Sequence, residues 1–427
     1  MIQKPIPDYL LPDNSTSDSQ GTLEVSGVNL CDVAEQYGTP VIVYDEDHIR
    51  ARLKEAKDGF DLVAYASKAF TCKSLCKIVQ EEGLSLDVAS LGEMIVALKA
   101  GVDPAKLVFH GNNRSFKELA SAIEYGVGKI VLDSYQDIFN LESLLSSGIG
   151  GKRLNVLLRL TPGVEANTHQ YVKTGQEDSK FGFPLMSKEL SSVIEKLLKS
   201  KELNLLGIHF HIGSQVFKLD SYEAAIQAVA EFLSKYELEE LCVGGGLGVP
   251  YVTGDPVIKI SDWALAIKKY ASENLSADIK ISAEPGRAIV ASAAVTVYKI
   301  GVIKKIDSVR TYVAVDGGMF DNPRPMIYGS KYEAFLPRAF RDERTEKVTV
   351  VGKHCESGDV LVKDAYLPGD YTVGDYLGIP VTGAYTFSMA SNYNKMPRPA
   401  VVFVRQGEVY PVIRRETIDD LLLTDLG

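Results

Sequence analysis

The stretch LVAYASKAF, residues 62 to 70, places Lys68 directly after an apolar run. A lysine there can lay its stem on apolar surface and keep its ammonium in water. Held in a desolvated pocket, it is instead a nucleophilic amine. It has company. Asp87, His110, Asp133, Arg159, His211, the glycines 244 to 246 and Glu284 each close another short apolar or β-branched run. Taken singly, each has a structural reading: Asp87 and Asp133 suit helix N-caps, Arg159 an ion pair, and the two histidines a satisfied core. Polar or ionisable residues at the ends of nearly all these runs point to a site.

Two of the runs are more specific. VGGGLG, 243 to 248, frees backbone N–H groups to approach an anion, although a tight turn uses the same glycines. It lacks the G-x-G-x-x-G spacing of a dinucleotide site. AEPGRA, 283 to 288, supplies the Glu284 carboxylate, a turn with Gly286 as a further backbone donor, and the Arg287 cation within four residues. An amine, a carboxylate able to keep a ring nitrogen protonated, and an anion cup are the needs of pyridoxal 5′-phosphate. No metal is expected: the cysteines at 31, 72, 76, 242 and 355 lack paired zinc spacing and resemble no disulfide framework. Cys72 and Cys76, four apart, read as neighbours on one helix face.

The elements that must position these groups alternate. Eight β-rich runs begin near 61, 84, 106, 129, 154, 205, 241 and 278, with segments of helical spacing between them. One is DSYEAAIQAVAEFLSKYEL, where Asp220 and Glu223 predict a capping box, and Ala225, Val229, Phe232, Leu233 and Tyr236 an apolar stripe. Parallel strands need crossover helices, so the pattern predicts an α/β fold with a (β/α)8 TIM-type barrel. An open doubly wound sheet shares the periodicity. After Arg287 the runs become β-branched, alternating and separated by turns, which predicts an antiparallel β-sandwich or barrel. TLEVSGV in the opening segment is expected to add a strand to it. The expected domains are an N-terminal segment 1–40 contributing to the β domain, a barrel over 41–286 and the β domain over 287–427. The connection 161–185 has no regular period, a sign of function in a compact domain.

Composition narrows the function classes. The chain has 427 residues, 45% of them hydrophobic and 24% charged, with a net charge of −10. That acidity argues against a nucleic-acid partner. No apolar run approaches the roughly 20 residues that span a membrane. No apolar signal segment is evident near the start, and the expectation is a cytoplasmic protein.

Read together, YASKAF, LDVASLGE, FHGNNRS, THQYVKTGQEDSKFGF, GIHFHIGSQ, GGGLG, EPGRAIV, RPMIYGS, CESGD and GAYTFSMASNYN resemble, in this order, one family. It is the barrel-type (fold type III) pyridoxal-phosphate-dependent amino-acid decarboxylases, and within them the diaminopimelate decarboxylases. The resemblance covers nearly the whole chain. It implies decarboxylation of meso-2,6-diaminopimelate to L-lysine and carbon dioxide, the last step of lysine biosynthesis, by a head-to-tail homodimer with shared active sites. By motif match, Lys68 is the Schiff-base lysine and His211 stacks on the cofactor ring. Asp87, Gly286 and Arg287 line the cofactor, Ser214, Gly245, Gly246 and Tyr385 bind its phosphate, and Glu284 faces the pyridine nitrogen. Arg287, Arg324 and Tyr328, with Tyr385, are similar to the residues that hold the substrate's distal carboxylate. Cys355 and Glu356 are implied to come from the partner subunit, Cys355 as proton donor and Glu356 on the distal ammonium. Cys355 could otherwise be a small buried hydrophobe, and Arg287 and Arg324 ordinary surface or ion-pair arginines. Phe70 departs from the family pattern, which has asparagine two residues after the lysine. Ornithine- or arginine-type and carboxynorspermidine-type decarboxylases share the fold and are the alternatives.

Overall fold

A computed structural model describes residues 2–150, 152–164 and 179–427. The chain divides into two compact units: Arg52–Gly248 with Ile258–Ala288, and Met1–Ala51 with Val249–Val257 and Ile289–Gly427.

In the first unit eight parallel strands close on themselves. They are β1 (Leu62–Ala66), β2 (Ser85–Val88), β3 (Leu107–Phe109), β4 (Lys129–Leu132), β5 (Leu154–Thr161), β6 (Leu203–His209), β7 (Glu240–Cys242) and β8 (Lys280–Ala283). Each pairs with the next, β4 with β5 included, and β8 returns to β1, with Ser282 opposite Leu62 and Ala283 opposite Val63. The sheet is a closed barrel, not the open doubly wound alternative. Its strands are buried on both faces, which is why they read as continuous apolar runs. Seven crossover helices connect them: α1 (Lys73–Glu81), α2 (Leu91–Lys99), α3 (Phe116–Tyr125), α4 (Tyr135–Ser146), α5 (Leu190–Lys199), α6 (Asp220–Lys235) and α7 (Ile260–Asn274). A short strand at Phe183–Pro184 adds to β5, while residues 165–178 of the irregular connection lie outside the described residues.

The helix starts differ from the sequence reading in an informative way. Serines at 90, 115 and 134 cap α2, α3 and α4, each accepting a backbone N–H through its hydroxyl, and Ser115 forms a full capping box with Glu118. Asp87 and Asp133 are therefore released from capping. The box expected at Asp220 does not form: Leu219 precedes α6 and no side chain caps it. The predicted stripe is half right, because Ala225, Val229 and Leu233 are buried with Tyr222 and Ile226, while Phe232 and Tyr236 stack on each other at 6.4 Å toward the edge. Cys72 is not on the helix face but caps α1, its Sγ accepting from Leu75 N at 3.4 Å.

The second unit is built on a sheet of eight strands. Seven follow the barrel in the chain: β9 (Ala294–Ile306), β10 (Arg310–Val315), β11 (Glu346–Val351), β12 (Val360–Leu367), β13 (Tyr376–Pro380), β14 (Ala400–Arg405) and β15 (Glu408–Ile413). The eighth is Val41–Asp45, which lies between β9 and β14. Pairing is antiparallel except at β10–β11 and at Val41–Asp45 against β14. A strand arriving from far away in the chain is under no hairpin constraint, so it can pair in either sense. The TLEVSGV segment does not join this sheet. Leu23–Val25 and Val28–Asn29 form a hairpin that, with Ser15–Ser17, makes a separate three-stranded sheet. Among the described residues no helix is long and apolar enough to cross a membrane.

Helices α6 and α7 meet through aromatic rings. Trp263 is fully buried, with its ring 4.8 Å from Phe60 and 5.7 Å from Tyr222. Truncating a buried tryptophan costs about 3–5 kcal/mol. Trp263→Ala should lower the urea midpoint of the barrel transition accordingly; an unchanged midpoint would show that these helices are held by something else.

Candidate active site

The C-terminal ends of β2, β3, β6 and β8 bring four ionisable side chains into one buried cluster. Glu284 follows β8 and is joined on both oxygens: His110 Nε2 lies 2.7 Å from Oε1 and His209 Nε2 lies 3.0 Å from Oε2. Asp87 sits behind His110, its Oδ1 3.8 Å from the same Nε2. All four are buried. A charge in such a place is costly unless it is paired and hydrogen-bonded.

The pairing decides which groups stay ionised. Burial pushes the Glu284 carboxyl up, but His110 and His209 outweigh it and hold it well below the usual carboxylate range. Burial likewise opposes a charged His110, and the Asp87 and Glu284 carboxylates overcome it, raising that imidazole above its ordinary value. For His209 burial outweighs the pull of Glu284, and its value falls to about 4. Asp87 is the weaker acid of the two carboxyls, raised by burial and by Glu284 against the pull of His110 and Lys68. Its buried Oδ1 accepts no hydrogen bond. The outcome is a carboxylate held ionised between two imidazoles, His110 with a raised value and His209 with a lowered one. The ligand atoms of His110, His209 and Glu284 lie within 4.8 Å of one another, close enough for a cation, yet hydrogen bonds already join them.

Lys68 stands in a single 3-10 turn, Ser67–Ala69, at the end of β1, next to β8 in the barrel. Its side chain is exposed and acts electrostatically on Asp87, His110 and His211. His211 lies just past β6, its imidazole pushed well below the ordinary value by burial and then by Lys68 and Arg159. Its Nδ1 accepts from Gly245 N at 3.3 Å. Phe70, the departure in YASKAF, has a role in packing: its ring is fully buried and its carbonyl accepts from the Tyr65 hydroxyl at 2.7 Å.

The glycine run is fixed from behind. Tyr222 on α6 donates its hydroxyl to Gly245 O at 2.8 Å, Val216 N donates to Gly246 O at 2.9 Å, and Glu284 N donates to Gly244 O at 2.8 Å. A Cβ on Gly245 would lie 2.2 Å from Glu284 O, and one on Gly246 2.3 Å from Gly213 O. Both glycines therefore sit against neighbouring backbone so closely that no side chain would fit there. Ser214 accepts from Arg287 Nη2 at 2.9 Å. Arg159 pairs with Asp133 at 3.3 Å and lies 4.4 Å from the Phe181 ring, which accounts for both as structural partners.

The remaining candidates belong to the other unit. Arg324 is buried with its guanidinium 4.5 Å from the Tyr251 ring, donating to the Tyr332 hydroxyl at 2.5 Å. It is neither a surface arginine nor salt-bridged in the ordinary way. Tyr328 ends the same short helix, Arg324–Tyr328, which a left-handed Gly329 terminates. Tyr385 holds φ of 60°, a strained setting for a tyrosine that marks functional positions. Cys355 is exposed, which removes its reading as a buried hydrophobe. Glu356 accepts a short hydrogen bond from the Tyr393 hydroxyl.

These residues fit pyridoxal 5′-phosphate. An ionised buried carboxylate suits a ring N–H, an exposed lysine ends the adjacent strand, and a backbone-lined glycine turn with Ser214 suits a phosphate. His209 was missed as a partner of Glu284, though its alternation with His211 in HFH is the signal that could have found it.

Removing one partner of a buried charge costs about 3–5 kcal/mol. Glu284, with its depressed value, stabilises the fold above its ordinary 4.5, and this is lost as pH falls through its folded value. His110, with its raised value, stabilises below its ordinary 6.5, and this is lost as pH rises through its folded value. The penalty of His110→Leu should therefore be largest between pH 4.5 and 6.5 and shrink on both sides. Urea midpoints of both proteins across pH 3–9 check this; a pH-independent penalty would exclude the ion pair.

The chain matches the family model described as pyridoxal-dependent decarboxylase, pyridoxal binding domain, over residues 46–291. Diaminopimelate decarboxylase of Bacillus subtilis is 44% identical over 97% of this chain and 98% of its own. Two solved structures are similar throughout. That of diaminopimelate decarboxylase from Helicobacter pylori complexed with L-lysine has a TM-score of 0.85 at 31% identity, covering 92% of this chain and 98% of that one. The M. jannaschii enzyme in co-complex with L-lysine has 0.89 at 29%, covering 97% and 98%.

Proposed function

We propose that this chain, which belongs to the diaminopimelate decarboxylases within the pyridoxal-dependent decarboxylase family, converts meso-2,6-diaminopimelate to L-lysine and carbon dioxide. The observation that carries the reading is the ionised Glu284 between His110 and His209 on the barrel rim, one strand from Lys68. Pyridoxal 5′-phosphate, when bound, supplies the electron sink that lets a Cα–carboxylate bond break.

The chain's own groups then divide the work. Lys68 would anchor the cofactor through its amine, Glu284 would keep a proton on its ring nitrogen, and His211, Asp87 and Gly286 would hold the ring. Ser214, Gly245, Gly246 and Tyr385 take the phosphate. Arg287, Arg324 and Tyr328 hold the distal carboxylate, for which guanidinium groups are suited by their paired donors. Glu356 would take the distal ammonium, and the Cys355 thiol would supply the proton to the carbon that lost carbon dioxide, a task for an acid placed on one face. A glutamate directly after Cys355, together with the arginine of RPMIY, favours a zwitterionic distal group over the bare cation of ornithine or arginine.

Purified holoenzyme offered diaminopimelate, ornithine and arginine side by side should release carbon dioxide from diaminopimelate alone; preferential turnover of ornithine would overturn the substrate assignment. We further place the enzyme in the cytoplasm as a head-to-tail homodimer, with Cys355 and Glu356 completing the partner's site. The exposure of Cys355 supports this. Mixing and reassociating the inactive variants Lys68→Ala and Cys355→Ala should restore activity that neither has alone, since one site of the mixed dimer is intact. No recovery in a verified mixed dimer would count against shared sites.

A further inference from the structure

The loop that carries Cys355 and Glu356, residues 352–359 between β11 and β12, is clamped by groups with no assigned role. Asp359 is buried and accepts Met319 N at 2.8 Å on one oxygen and His354 N at 3.0 Å on the other. It fits only because Gly352 and Gly318 leave room: a Cβ on either would lie 2.2 or 2.7 Å from its carboxylate. His354 is buried, with Nδ1 2.8 Å from Asn394 Oδ1 and its ring between Phe320 at 5.5 Å and Tyr393 at 5.2 Å. Ser391 N donates to Phe320 O at 2.8 Å, tying the Tyr393 turn to the same wall. Asn394 and Lys395 both hold positive φ, 53° and 55°. Two consecutive non-glycine residues in that region cost strain that persists where surroundings impose it.

The product of this clamp is the placement of Tyr393. Its ring is set against His354, and its hydroxyl donates to Glu356 Oε1. Glu356 is exposed, and a free glutamate loses roughly 1.5–2 kcal/mol of rotamer freedom when it grips a ligand. A hydrogen bond made beforehand fixes that rotamer before the ligand arrives, which is where preorganised sites gain affinity. Tyr393 occupies one oxygen and leaves the other for an ammonium.

We infer that Tyr393 is the positioning residue that aims the Glu356 carboxylate and thereby sets selectivity for an ammonium at the substrate's distal end. It acts through Glu356 and touches no reacting atom. The inference rests on Glu356 binding that ammonium, so the experiment must separate the two.

Competitive inhibition of the holoenzyme by L-lysine and by 6-aminohexanoate does so, because the two differ only in the ammonium next to the carboxylate. Wild-type enzyme should bind L-lysine more tightly. Tyr393→Phe keeps the ring on His354 and loses the hydroxyl. It should weaken L-lysine about tenfold, the scale of one hydrogen bond to a charged group. Binding of 6-aminohexanoate and kcat on diaminopimelate should change less than twofold. Glu356→Gln should remove the preference altogether. If wild type or Glu356→Gln shows that the preference does not depend on Glu356, the underlying reading fails. If Glu356→Gln abolishes it while Tyr393→Phe leaves it intact, or weakens both inhibitors alike, the role of Tyr393 is overturned.

Discussion

A buried carboxylate that must stay charged is the constraint on which the barrel unit turns. Glu284 has lost its water, and desolvation alone would protonate it. What keeps it ionised is contributed by other strands: His110 after β3, His209 at the end of β6, and Asp87 in β2 raising the basicity of His110. These groups meet only because the sheet closes with a fixed stagger. A slip of one residue would turn each side chain to the other face. Closure is thus a requirement of the electrostatics as well as of packing, and the serines that cap α2 and α4 matter because they leave Asp87 and Asp133 free for other work.

The arginines show how the same cation is held for different ends. Arg114 is buried, paired with Asp137 at 2.9 Å and donating to Phe109 O and Val131 O, so it ties loops of the barrel together. Arg159 is paired with Asp133 in the same manner. Arg324 is wedged between tyrosine rings instead, which fixes its plane without neutralising it. A guanidinium stabilised by ring faces keeps its net charge for an anion, whereas one salt-bridged to a carboxylate has spent it.

What could be read in the sequence follows from what is local. The eight apolar runs are local, and so were the polar residues that end them, because a strand end is one residue long. The change to alternating β-branched runs after Arg287 was equally legible. Pairing partners were not. That His209 bonds Glu284, 75 positions away, depends on the chain between them, and that Val41–Asp45 sits between β9 and β14 depends on more. Capping was legible as a choice among residue types and misassigned at Asp220, where the chain enters the helix from Leu219 without a side-chain cap. Phe70 looked anomalous only while its burial was unknown.

Cysteine makes the same point about environment over identity. Burial pushes Cys31 and Cys76 up to about 11 and Cys72 to about 12, and Cys242 well above its ordinary value beside Glu284 and Glu240. Desolvation makes each of these a poor acid. Cys355 is the one exposed thiol of the five, on a loop whose backbone Asp359 pins and whose next residue Tyr393 engages. Proton delivery to carbon needs an acid that is reachable yet held in one place. Anchoring of the loop and exposure of the side chain are separate properties, and here the buried Asp359 and His354 supply the first while Cys355 keeps the second, as its proposed role requires.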